Sequence, residues 1–141
     1  MEHDGDWTYR PPATNEQIEA CEREVGWPLP QDLRSFLLRS NGGEAWFTEN
    51  RRSPGFFLSM LNVADIAGTH RLRREFSDDV DLVPFASDGA SEYFYLDSST
   101  GSVLMINNVG TRADGAMCGS SVTEFLTRLS GGWNPFEQLT T

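Results

Sequence analysis

One stretch of this sequence, residues 27–43, contains the signals for a complete helix with both of its ends, and it most constrains how the chain can fold. Pro30 suits the first helical position, because proline lacks the N–H group that would have no partner there. Asp32 places negative charge near the positive end of the helix dipole. The apolar residues that follow at helical spacing are Leu33, Phe36 and Leu37. The tripeptide Asn41-Gly42-Gly43 tolerates a left-handed backbone, so we predict an amphipathic helix that stops there.

The residues before this stretch predict another helix, so the chain begins with a helical hairpin. Thr14 followed by Gln17 has the form of a capping box, and Gly26 is a typical helix stop. The apolar stripe of this helix is Ile18, Cys21 and Val25. We therefore predict that Cys21 is a small buried hydrophobe and not a reactive thiol. The joint at residues 26–30 is short, so the two apolar stripes should face each other or a shared sheet.

Beyond residue 43 the sequence predicts a loop, several strands and two more helices. Residues 44–55 are rich in turn formers and are predicted to form a surface loop that includes Trp46 and Phe47. Asn62 is a predicted cap for a short helix that becomes arginine-rich, and Ser121 with Glu124 is a predicted cap for the last helix. Residues 107–119 are glycine-rich and predicted to be irregular. The predicted strands are residues 56–61, 80–85, 92–97 and 103–106.

Length and charge limit the classes of protein to which the chain can belong. Its 141 residues suit a single domain, which we predict to span residues 14–141 behind an N-terminal arm, residues 1–13. The 21 acidic residues outnumber 11 basic ones, all of them arginine, and the formal net charge is -10. This balance argues against a nucleic-acid partner and favours a basic protein partner. Negative charge that only keeps the protein in solution is an equally good interpretation.

The sequence contains no recognisable catalytic, metal-binding or phosphate-binding motif, and we predict no cofactor. Cys21 and Cys118 lie far apart and outside any Cys/His cluster, which argues against a zinc site. The histidines are His3, in the predicted arm, and His70, for which a surface role is preferred over catalysis. The paired glycines follow helices and do not open them, unlike a phosphate-binding loop. Without a secretory leader or a run of about 18 apolar residues, the chain is predicted to be cytoplasmic and to have no membrane partner.

Several short motifs occur along the chain in an informative order. The first block includes Gly26, the pair Leu29-Pro30 and the tripeptide Asn41-Gly42-Gly43. Later blocks are residues 83–89, the strand that ends at Leu96-Asp97, Gly101 with its following strand, and the closing helix. Together these blocks resemble the signature of the SMI1/KNR4 (SUKH) superfamily over nearly the whole chain. The resemblance implies an α+β fold in which helices pack on a mainly antiparallel, curved sheet.

The resemblance also implies function by binding another protein. Bacterial members of the superfamily are commonly immunity proteins that neutralise toxin domains, often nucleases, of polymorphic or contact-dependent toxin systems. Fungal relatives are regulatory scaffolds in cell-wall signalling, and the superfamily has no accepted catalytic residues to transfer to this chain. An immunity protein is therefore the preferred hypothesis, and a regulatory scaffold in cell-wall or stress signalling is the alternative. A third hypothesis is an enzyme with dispersed catalytic residues, for which His70 is the most plausible base.

For an immunity protein, acidic residues are the first candidates for contact with the partner, because carboxylates can occupy a groove built for nucleic acid phosphate. The densest acidic cluster is Asp78, Asp79 and Asp81, and Asp88 and Glu92 follow it. We predict that these five residues contact the basic surface of a toxin domain, with Trp46 as an aromatic anchor. The competing interpretation of the cluster is a solvated loop.

Overall fold

Four helices and a seven-stranded sheet make up the part of the chain that the structure, a computed structural model, describes, namely residues 6–47 and 55–136. The helices are α1 (Asn15–Val25), α2 (Gln31–Arg39), α3 (Val63–Arg73) and α4 (Val122–Ser130). The strands are β1 (Asp6–Tyr9), β2 (Gly43–Phe47), β3 (Phe56–Met60), β4 (Leu82–Ser87), β5 (Glu92–Asp97), β6 (Val103–Asn107) and β7 (Ala116–Gly119). Arg112–Asp114 forms a single 3₁₀ turn before β7.

The seven strands form one open antiparallel sheet in which spatial order follows chain order. Each strand pairs with its neighbours in sequence, although β1 and β2 are joined through α1 and α2, and β3 and β4 through α3. A register shift in β4 falls between Pro84 and Ala86, next to a residue that cannot donate a ladder hydrogen bond. The predicted α+β class with helices on an antiparallel sheet is confirmed.

The main core lies between one face of this sheet and the helices. Phe125 of α4 packs on Phe94 of β5 with ring centroids 4.8 Å apart, a distance typical of attractive aromatic pairs. α3 adds apolar side chains from its first turns. The predicted helical stripes are buried in this core: Ile18, Cys21, Val25, Leu33, Phe36, Leu37, Val122, Phe125, Leu126 and Leu129. The sequence periodicity therefore identified the buried face of each of these helices correctly.

The Asn-Gly-Gly tripeptide after α2 connects three elements. α2 runs from Gln31 to Arg39, so it begins one residue later than predicted, and Pro30 is its N-cap. Its C-cap is Ser40 in an extended conformation, and not a left-handed residue of the tripeptide as predicted. The Asn41 side-chain oxygen accepts a hydrogen bond from the Val63 N–H at 3.0 Å and so occupies an unpaired donor at the start of α3. Gly42 has φ +92°, and a Cβ atom there would lie 2.9 Å from the Met60 carbonyl oxygen. The tripeptide is thus explained by close backbone packing between α2, β3 and α3.

Three strands lie where the sequence analysis predicts none. β2 replaces the first part of the predicted loop 44–55, and residues 48–54 of that loop lie outside the described residues. β1 lies within the predicted arm, and β7 lies within the segment predicted to be irregular. The loop prediction is wrong for residues 44–47 because β2 is held by pairing with β1 and β3, contacts that local composition does not encode.

Another predicted boundary is shifted, since β4 runs from Leu82 to Ser87, two residues later than predicted. α3 continues into the arginine-rich segment, as predicted, and ends at Arg73. The arginines of this segment pair with acidic side chains. Arg71 and Arg74 both bind the Glu24 carboxylate of α1, at 3.2 and 3.4 Å. These pairs join the exposed sides of α1 and α3.

Candidate functional site

The face of the sheet opposite the main core is partly uncovered, and we call it the open sheet face. Its side chains alternate along the strands with those of the core. A small apolar cluster of Leu82, Tyr95 and Ile106 is buried at one end of this face. Elsewhere on the face the outward residues are accessible or half-buried: Trp46, Phe57, Ser59, Ser87, Tyr93, Leu104 and Met117.

An aromatic pair occupies the β2–β3 side of the open sheet face. Trp46 is 46% exposed, and its ring centroid lies 5.1 Å from that of Phe57, its partner across the two strands. Phe57 in turn contacts the β4–β5 turn, because a Cβ atom on Gly89 would lie 2.9 Å from its ring. The exposed tryptophan is therefore supported from below by a second ring and a glycine, an arrangement suited to a rigid contact residue.

The carboxylates at the β4–β5 turn accept hydrogen bonds from the turn itself and from the neighbouring strand β6. One Asp88 oxygen accepts hydrogen bonds from the backbone N–H groups of Ala90 and Glu92, at 2.9 and 3.1 Å. Glu92 accepts a hydrogen bond from the Asn107 side-chain amide at 3.0 Å. Gly89 in this turn has φ +81°. Asp88 precedes Gly89, whose backbone approaches the Phe57 ring, whereas Glu92 alternates with Tyr93 and so lies on the same face of β5 as the core residues Phe94 and Leu96.

An arginine–aspartate network lies at the opposite end of β4 and β5; its members are Arg73, Asp79, Asp81, Asp97 and Arg112. The Arg112 guanidinium bridges Asp81 and Asp97, at 2.5 and 2.6 Å. The backbone N–H of Arg112 donates to Asp79, which also pairs with Arg73 at 3.5 Å. The network therefore ties the segment after α3, the end of β5 and the 3₁₀ turn to one another.

Each charge in this network is compensated locally. Burial by itself raises the pKa of Asp97, but hydrogen bonds from Ser99 and Arg112 outweigh it and hold that pKa below its ordinary value. Hydrogen bonding to Asp97 likewise raises the pKa of Arg112. Arg73 is only 4% exposed and donates to the Tyr95 hydroxyl at 3.2 Å and the Gly110 carbonyl at 2.7 Å. Such partners offset the desolvation of a buried guanidinium.

The six predicted contact residues fall into two groups at opposite ends of the β4–β5 hairpin. Asp79 and Asp81 belong to the arginine–aspartate network, and Asp78 beside them is exposed and has no ion-pair partner among the described residues. Asp88, Glu92 and Trp46 lie near the β4–β5 turn. Because the two groups are separated by about five residues of strand, roughly 17 Å lies between them. The structure does not bring them together into one acidic site.

Sequence reasoning missed the importance of Arg112. It lies in the glycine-rich segment 107–119, where it is the only basic residue. A single basic residue in such a segment was the one feature of the sequence that could have marked it as an ion-pair partner. Its carboxylate partners lie 15 and 31 positions away in sequence, so the pairing depends on tertiary structure. Two of the three residues in the densest acidic cluster, Asp79 and Asp81, therefore form ion pairs within the fold, which the sequence did not predict.

The described residues also show the environment of the groups considered for catalysis or metal binding. The preferred surface role for His70 is wrong, because it is 2% exposed and its Nε2 donates to the Val80 carbonyl at 2.9 Å. Cys21 is buried as predicted, and burial raises the pKa of its thiol to about 11. Within residues 6–47 and 55–136, no group of three His, Cys, Asp or Glu side chains could hold a metal ion. Nor is any helix in these ranges long and apolar enough to cross a membrane.

Comparison with known families gives one match that covers most of the chain. The profile described as SMI1 / KNR4 family (SUKH-1) matches residues 12–128. The matched region runs from just before α1 into α4 and contains the Asn-Gly-Gly tripeptide, the β4–β5 turn and the arginine–aspartate network. None of the curated proteins compared with the chain matches it.

Proposed function

Because this chain belongs to the SMI1/KNR4 (SUKH-1) family, we propose that it is an immunity protein that binds and neutralises a toxin domain. The family includes immunity proteins of toxin systems, and the match over residues 12–128 is the observation on which the proposal rests. Its action is binding, not catalysis. The protein acts in the cytoplasm by covering the toxin's active site or substrate groove.

The open sheet face supports this proposal as a binding surface. Trp46 and Phe57 offer a supported aromatic contact, a type of residue that often supplies much of the energy of an interface. The net charge of -10 gives a field that attracts a basic surface, such as the nucleic-acid groove of a nuclease. Asp78 in the segment after α3, Asp88 in the β4–β5 turn and Glu92 at the start of β5 are proposed contacts beside this face. Asp79 and Asp81 contribute by holding the segment that presents Asp78.

Co-expression with toxin domains encoded in the same source tests the function. We expect this protein to restore growth of cells that produce its cognate toxin and to co-purify with that toxin. Failure to bind or neutralise any of these domains would reject the proposal. Recovery of an ordinary signalling or cell-wall protein would instead favour the regulatory-scaffold alternative.

A charge-reversal pair tests the proposed contacts. Asp78→Arg should slow association with the toxin and weaken its salt dependence, because the residue is exposed and unpaired. Glu19→Arg is the matched control, since it makes the same change of net charge at an exposed site on α1. Equal association rates for the two variants would show that Asp78 is not part of the contact surface.

Trp46→Ala should speed dissociation of the toxin complex. An unchanged dissociation rate would show that Trp46 is not part of the contact surface.

A further inference from the structure

Exposed apolar side chains gather beside a small cavity that the acidic residues do not line. The cavity has a volume of about 170 Å³ and lies between the C-terminal end of α3 and strand β5. Leu72 and Phe76 form one wall and are 61% and 57% exposed. Val109, 79% exposed, adjoins Asn108 on the other side. Large apolar side chains left in water around a concavity are a common mark of a protein-binding site.

The size and lining of the cavity restrict what it can hold. Ligand sites for small molecules usually occupy about 300–1,000 Å³, so this cavity suits a single large side chain better than a cofactor. Its lining includes the rings of Phe76, Tyr93 and Tyr95. A partner side chain that enters would therefore exchange water for aromatic contacts.

The charges at the cavity argue for a neutral occupant. The Arg73 guanidinium already lies over the Tyr95 ring at 4.8 Å and beside the Phe76 ring at 5.8 Å, so a second cation would be repelled from the aromatic faces. The terminal nitrogens of Arg73 are also bound, to Tyr95, Gly110 and Asp79.

The residues around the cavity show which charges the partner carries outside it. Glu75 and Asp78 are exposed, lie in the segment that follows α3, and have no ion-pair partner in the described part of the chain. The nearby Arg71 and Arg74 are turned to Glu24 of α1. The uncompensated charge beside the cavity is thus negative, and it complements lysine or arginine on a partner.

We propose that this cavity is the anchor site for one leucine, methionine or aromatic side chain of a protein partner, flanked there by basic residues. The inference deepens the proposed function, since it names where and by what chemistry the toxin is held. It adds Leu72, Phe76 and Tyr93 to the contact surface. None of these three was among the predicted contact residues.

Titration with a defined peptide tests the anchor site without a toxin. The probe is acetyl-Arg-Lys-Phe-Lys-Arg-amide, followed by NMR on the isotope-labelled full chain, and the control probe has alanine in place of phenylalanine. We expect the phenylalanine peptide to shift the amide signals of Thr69, Tyr93 and Asn108 and to bind at least about fivefold more tightly than the alanine peptide. Equal affinities, shifts centred on Trp46, or no shift at millimolar peptide would overturn the proposal.

Matched variants separate this inference from the proposed function. The double variant Leu72→Ala and Phe76→Ala should weaken binding of the phenylalanine peptide by about tenfold, and Val80→Ala, which removes an exposed apolar side chain that does not line the cavity, should change it less than about twofold. If the wild type and the double variant neutralise a toxin equally, the proposed anchor site is rejected, whereas the proposed immunity function is supported. If the peptide binds as expected and no toxin is neutralised, the function fails and the anchor site stands.

Discussion

Gly42 and Gly26 both have a left-handed backbone, but only Gly42 is enclosed by other backbone atoms. At Gly42 a Cβ atom would lie 2.9 Å from the Met60 carbonyl oxygen and 3.0 Å from the Asn62 nitrogen, whereas nothing lies within 4 Å at Gly26. We expect Gly42→Ala to lower the free energy of unfolding by about 3 kcal/mol or more, and Gly26→Ala by about 1 kcal/mol. Urea unfolding measures both. Equal losses of unfolding free energy in the two variants would contradict the close backbone contacts assigned to Gly42.

The lowered pKa of Asp97 predicts how the stability that the arginine–aspartate network provides changes with acid. Its folded-state pKa lies below the unfolded value of about 3.9, so its contribution to stability is present above that pH and lost as the pH falls through the folded-state pKa. Arg112→Gln removes a cause of this shift. We therefore expect the stability difference between wild type and variant to be largest near neutral pH and to shrink below about pH 4.

Urea unfolding at several pH values checks this acid response. Arg10→Gln is the control, because it breaks an exposed pair with Glu44 and should leave the free energy of unfolding almost unchanged at every pH. A difference between wild type and Arg112→Gln that is constant from neutral to acid pH would contradict the assigned role of Asp97.

At the scale of elements, β1 determines whether the N-terminus is an arm or part of the fold. The division into an arm, residues 1–13, and one domain, residues 14–141, stays a prediction. Trp7 of β1 packs on Phe36 and Phe47, with ring centroids 5.4 and 6.0 Å apart, so it covers the edge of the main core. We expect Trp7→Ala to lower the free energy of unfolding by about 2 kcal/mol and Thr8→Ala, on the other face of β1, by less than about 0.5 kcal/mol.

Thermal or urea unfolding of these two variants decides between the two descriptions of the N-terminus. If residues 1–13 form an independent arm, Trp7→Ala will unfold like wild type. A loss confined to Trp7→Ala would extend the folded unit to β1, upstream of the predicted boundary.

The elements differed in how well the sequence predicted them. α1, α2 and α4 have apolar stripes and caps within a single segment, and their predicted buried residues are buried. β1 and β2 pair across more than thirty positions, as the register Thr8 to Glu44 shows, and neither has enough alternating residues to be recognised alone. For the candidate site, Trp46 was named correctly as exposed, but its support by Phe57 depends on strand register.

At the scale of the whole molecule, the net charge of -10 should govern the rate of association with a basic partner. We expect the on-rate for a cognate toxin to fall by about tenfold as ionic strength rises from about 0.05 to about 0.5 M, because screening shortens the range of the attraction. Removing two charges beside the cavity, Glu75→Gln with Asp78→Asn, should lower the on-rate more than Glu16→Gln with Glu19→Gln. Stopped-flow association measures all three proteins, and equal effects of the two pairs would show that only total charge matters.

The sequence by itself determined the helices with their caps, the central strands, the negative charge and the family, since each of these is encoded in local spacing or in composition. Only the tertiary structure decided which charged groups remain available to a partner. Asp81 is bound by the Arg112 side chain and Asp79 by the backbone N–H of Arg112 and by Arg73, whereas Asp78 between α3 and β4 is left exposed. The physical reason is that ion pairs and cavities form between segments whose proximity depends on strand order and register, which no single segment encodes.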